Sequence, residues 1–129
     1  MDDLAAFITA RLDEDEAAAK IAAVDGAWGR LRAMIPPDPG PLNRNHRLME
    51  AFNPARVLRE VAAKRQRLAY YLHAQAKLDH IIAHPGEASA GDEGMWLGKT
   101  AAARMACRYD AAVYSDHGDY RAEWAPGHG

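Results

Sequence analysis

His80 and His84 stand four residues apart in a stretch of helical periodicity. Both imidazoles would share one helix face, the spacing at which a helix offers two nitrogens to a metal ion. His73 lies one heptad earlier near the same side. No glutamate stands between the pair as in the metalloprotease pattern, and Pro85 is expected to fray the helix at His84. Histidines on a solvated face are the preferred reading, with no metal or cofactor assigned. The tail gathers Asp116, His117 and Asp119, residue types that serve catalysis and metal binding alike. Tyr114, Tyr120 and Trp124 accompany them, which favours carboxylates capping a turn and aromatics anchoring the tail to the core. The run Gly98-Lys99-Thr100 copies the end of a phosphate-binding loop, but Glu93 occupies the first glycine's place and no strand precedes it. That motif is excluded.

Charge is segregated along the chain. Residues 1–25 carry seven acids against Arg11 and Lys20, a net of −5, and residues 85–129 sum to −3. The two central stretches, 26–47 and 48–84, are each +3. Asp13, Glu14, Asp15 and Glu16 could form half of a divalent-cation site of the kind helical nucleotide hydrolases build, but a second acidic motif to complete it is lacking. Arg56, Arg59, Lys64, Arg65 and Arg67 could grip phosphates, with Glu60 the only acid from Asn53 to Leu68. Pairing of this basic run with Asp13–Glu16, within one chain or across a dimer, is the more economical expectation.

These groups must be positioned by helices. Asp2 can cap a first helix to about residue 24, where Leu4, Phe7, Ile8 and Leu12 make one apolar stripe and Gly26 marks the end. Trp28, Leu31 and Ile35 suit a short helix, as does the stretch from His46 to Phe52. The run Pro36-Pro37-Asp38-Pro39-Gly40-Pro41 cannot be helical, and residues 36–45 read as an extended connector. Asn53-Pro54 is a cap followed by proline at the first helical position, opening a long helix to about residue 84 that carries Leu58, Val61, Leu68, Leu72 and Ile82. A last helix over about 92–114 places Leu97, Ala101, Met105, Tyr109 and Ala112 on one face. Gly94, Gly98, Ala102 and Ala106 line another edge, where small residues permit close helix contact. The expectation is one all-α domain over 1–129, a small bundle of three main helices (about 2–24, 54–84 and 92–114) with a tail over 115–129.

Of the 129 residues 49% are apolar, but much of that share is alanine, which buries little area. A slim core is expected, resting on Phe7, Ile8, Trp28, Leu58, Leu68, Leu72, Trp96 and Tyr109, and a partner surface would supply the missing burial. Cys107 is the single cysteine, so no internal disulfide or cysteine-based zinc site can form. Met1-Asp2-Asp3-Leu4 has the wrong charge for a signal peptide, and no apolar run reaches the ~20 residues of a membrane span. A soluble cytoplasmic protein is expected, with no membrane contact.

Three blocks recur together in a known family. They are the opening Met1–Leu4 with Ala10–Glu16, the central Asn53–Val61 with Ala63-Lys64-Arg65, and the tail Tyr114–Trp124. In these blocks the chain resembles a family of small uncharacterised proteins, a domain of unknown function, found in actinobacteria, especially streptomycetes, and in their phages. Members often carry a strand-like or cysteine-rich insert between blocks. Here the first insert is short and proline-rich and the second helical, and Gly118 replaces the usual proline. The resemblance implies a phage or host accessory context and no reaction.

The expected function is therefore a non-enzymatic accessory protein that binds another protein or a second copy of itself, as a phage modulator of a host process would. A nucleic-acid binder acting through the basic helix, a metal-dependent hydrolase and a small-ligand sequestering protein are the alternatives.

Overall fold

The computed structural model describes residues 2–36 and 44–127. Most of the proline-rich connector, residues 37–43, lies outside the described residues, and the last two residues expected in it, Arg44 and Asn45, are helical and open the third helix. The rest is all-α, with no strand among the described residues: α1 (Asp3–Asp25), α2 (Ala27–Met34), α3 (Arg44–Ala51), α4 (Pro54–Ala83), α5 (Asp92–Ala112) and a 3-10 turn (Ala122–Trp124). The three long helices fall where periodicity places them.

The helix ends follow local chemistry. Asp2 Oδ1 accepts the Ala5 amide at 2.8 Å, and Asn53 Oδ1 accepts the Ala55 amide at 2.9 Å. Each side chain satisfies one of the donors that a helix start leaves without an intrahelical partner. Gly26 separates α1 from α2 at φ 64, a left-handed conformation that favours glycine. Past α4, Asp92 Oδ2 accepts the Ser89 amide at 3.1 Å just before α5 begins.

The chain divides into two compact units, residues 1–11 with 64–129 and residues 12–63. In the first, Leu4, Phe7 and Ile8 of α1 are buried, as are Leu68, Tyr71, Ala74 and Leu78 of α4 and Ala103, Cys107 and Ala111 of α5. Trp124 joins this core from the tail. In the second unit Leu12, Ala19 and Val61 are buried, while α2 buries no residue. Arg32 pairs there with Glu50 at 2.9 Å, and Asn53 Nδ2 donates to the same carboxylate at 3.2 Å.

Several expected core residues lie elsewhere. Trp28, Leu58, Leu72 and Trp96 are half-buried, and Ile82 and Tyr109 are exposed. On α4 Val61 and Leu68 of the expected stripe are buried, and beyond Leu68 the buried row shifts to Tyr71, Ala74 and Leu78 beside it. The reason is rotational: alanines flank the large residues, so an adjacent row is just as apolar and packs closer.

Candidate protein-binding face

The orientation of α5 is set by its charged residues. Arg67 of α4 holds Asp110 with two parallel bonds, Nε to Oδ2 at 2.7 Å and a terminal nitrogen to Oδ1 at 2.8 Å. That bidentate geometry keeps the Arg67 guanidinium protonated to a higher pH than usual. Arg104 donates to the Tyr71 hydroxyl at 2.9 Å and lies 3.4 Å from Asp2, whose carboxylate also accepts the Tyr71 hydroxyl. Burial, and then the bond to Asp2, hold the Tyr71 phenol above its ordinary pKa. Asp110 and Arg104 thus flank the inner face of α5, and Thr100, Ala103, Cys107 and Ala111 lie between them.

The opposite side follows from that rotation. Leu97, Met105 and Tyr109 face solvent at 57%, 38% and 63% exposure, Tyr109 against its expected place in the core. Met95, Gly94, Gly98, Ala101, Ala102 and Val113 are also exposed. From Gly94 to Val113 the one exposed charged residue is Lys99, whose ammonium sits over the Trp96 ring at 4.7 Å. Arg108 bends toward the tail, donating to the Trp124 and Ala125 carbonyls at 3.1 and 2.6 Å. A helix face about five turns long is therefore left apolar and open. A Cβ at Gly94 or Gly98 would meet nothing within 4 Å, so the chain itself leaves these two positions unfilled. Sequence periodicity identified this apolar row and placed only its Tyr109 in the core.

The other candidate residues are placed as follows. Phe7 is ringed by Tyr114, His117, Tyr120 and Trp124, with centroids 6.3, 5.7, 5.9 and 5.2 Å away. The buried Arg11 contacts His117 Nε2 and lies 5.3 Å from the Phe7 ring centre. Asp116 and Asp119 remain exposed. A depression of about 550 Å³ beside this cluster is lined by Asp3, Phe7, Arg11, Asp119 and Arg121, and across it Arg121 pairs with Asp3 at 2.8 Å.

Within the basic run, Arg56 takes Glu60 of its own helix at 3.2 Å, Arg67 takes Asp110, and the Lys64 ammonium lies 5.6 Å from the Tyr114 ring centre. Arg59 is exposed and Arg65 half-buried. In the acidic run Asp13 and Glu14 are exposed, Asp15 and Glu16 half-buried, and Glu16 pairs with Lys20 at 2.6 Å. Arg56 and Arg67 therefore find their carboxylates at Glu60 and Asp110 rather than in the acidic run. His80 and His84 stack at the exposed end of α4, ring centroids 4.2 Å apart. No helix among the described residues is long and apolar enough to cross a membrane.

No curated protein and no solved structure matches the chain. The model of a family of unknown function (DUF6221) matches residues 1–126, and the chain belongs to that family.

Proposed function

We propose that the chain is a non-enzymatic accessory protein of the cytoplasm that acts by protein–protein contact, and that the outward face of α5 is the contact. The observation that carries this reading is the exposed row of Gly94, Gly98, Met105 and Tyr109 on α5, beside which, from Gly94 to Val113, Lys99 is the one exposed charged residue, on a protein otherwise rich in surface charge. An apolar strip of this length is costly in water and gains when another surface covers it.

The occupant it fits first is the same face of a second copy. Bulk and gap are distributed unequally: Gly94 and Gly98 lie in the N-terminal half, Met105 and Tyr109 in the C-terminal half. A two-fold axis between Ala101 and Ala102 would run two α5 helices antiparallel, with Tyr109 over Gly94 of the partner copy and Met105 over Gly98. Such an interface is isologous and closed, so it ends at a dimer. The basic run offers less to a nucleic acid, since Arg56 and Arg67 already hold carboxylates.

Light scattering after size exclusion tests the proposal. A dimer is expected, and Gly98→Leu or Ala102→Glu should convert it to a monomer with an unchanged helical spectrum. A wild-type chain that stays monomeric at every concentration overturns the reading, as does a dimer indifferent to both substitutions. We also place the chain in actinobacteria or their phages, where the resembling proteins occur; a gene neighbourhood of phage structural and regulatory genes would favour the modulator role.

A further inference from the structure

The end of α4 carries a second feature, remote in chemistry from the apolar face. Pro85 does not fray the helix at His84: the His84 amide still donates to the His80 carbonyl at 3.0 Å. The ring of His84 turns back on the same carbonyl, with Nδ1 at 2.9 Å. A carbonyl can only accept, so Nδ1 carries the proton and the lone pair of the neutral ring is on Nε2. A backbone carbonyl fixing one imidazole nitrogen so that the other is left to bind is how proteins orient metal-ligating histidines.

The turn after Pro85 then supplies what the helix lacked. Gly86 adopts φ 101, and the Glu87 amide donates to the His84 carbonyl at 3.2 Å. The chain thereby doubles back and brings Glu87 Oε2 to 3.3 Å from His80 Nε2. One donor atom from each of His80, His84 and Glu87 lies within 4.8 Å of the other two. Tetrahedral zinc, with bonds of about 2.0–2.1 Å, places its ligand atoms about 3.3 Å apart. The His80–Glu87 edge already has that length. Closing the third corner is left to His80 and Glu87, whose exposed side chains can turn toward the His84 ring that the carbonyl holds in place.

We infer that His80, His84 and Glu87 form a three-ligand site for a divalent transition metal of the zinc class. Two imidazoles and a carboxylate select zinc, cobalt, nickel or copper over magnesium and calcium, which prefer all-oxygen shells. Exposure leaves the fourth corner to water. A bound ion would tie the end of α4 to the turn over residues 84–87, so the ligand is expected to act on local order.

Titration of the full chain with cobalt(II), followed by its visible absorption, tests this directly, with zinc competing and magnesium as the control. One equivalent of cobalt should bind with the band intensity of a tetrahedral site, and zinc should displace it. His80→Ala and His84→Ala should each weaken binding by about 10-fold or more, and Glu87→Gln by less. His73→Ala, beside Trp96 and outside the triad, should leave it unchanged. Zinc should also slow amide exchange over residues 84–87. Absence of cobalt binding, or binding unaffected by both histidine substitutions, overturns the assignment. Circular dichroism of each variant separates loss of a ligand from loss of the fold.

Discussion

Tyr71 is 1% exposed, yet its hydroxyl reaches a polar cluster shared with Asp2 and Arg104. Tyr71→Phe should cost about 1 kcal/mol in urea unfolding, the net worth of one hydrogen bond whose partners can rehydrate. The Arg67–Asp110 pair has bidentate geometry, but Arg67 is half exposed, and solvent screening limits its value. A double-mutant cycle with Arg67→Ala and Asp110→Ala should return a coupling of about 1 kcal/mol, shrinking in high salt. Cys107 behaves differently, because burial pushes its thiol from an ordinary 9.0 up to about 11. The folded state therefore holds a proton that the unfolded chain releases. Its contribution is complete below pH 9 and disappears as pH rises to about 11. The melting temperature should fall across that window, and Cys107→Ala should flatten the fall. That no disulfide holds this cysteine was legible from its being the single one; the Tyr71 cluster was not legible, since it joins residues 2, 71 and 104.

At the scale of elements, ends were easier to read than faces. Asp2, Asn53-Pro54 and Gly26 act through bonds and torsions within four residues, so local sequence specifies them. Asn53→Ala should cost about 1 kcal/mol and fray the start of α4, measured by urea melts and by amide exchange at Ala55. Ile8, fully buried on the correctly read stripe of α1, should cost about 2–5 kcal/mol when cut to alanine. The rotation of α5 was not legible. Two neighbouring rows of that helix are apolar, and the size of Tyr109 made it look like core. The decision belongs to Asp110 and Arg104, whose partners come from Arg67, Tyr71 and Asp2, so it depends on long-range pairing that periodicity does not contain. Glu87 was missed for a related reason. A third ligand beyond a proline becomes visible only once the turn at Gly86 is known to fold back.

For the whole molecule, the all-α class followed from composition and spacing, and family membership over residues 1–126 agrees with the resemblance seen in three short blocks. The segregated charge, net −5 over residues 1–25 and +3 over 48–84, remains a property of the surface as a whole. It gives the association proposed for α5 a distinctive signature. A mainly apolar interface should respond little to sodium chloride and be tightened by sulfate, whereas phosphate-gripping by the basic run would weaken steeply with either. Sedimentation at two salt concentrations distinguishes them. Cys107 also has a practical corollary. It is the chain's single thiol, buried and held protonated at neutral pH. A cysteine introduced beside the open face of α5, such as Lys99→Cys, would be the sole reactive site for a maleimide spin label. Two such labels in one dimer would meet across the two-fold axis, and their dipolar broadening would report the distance between copies without removing the native cysteine.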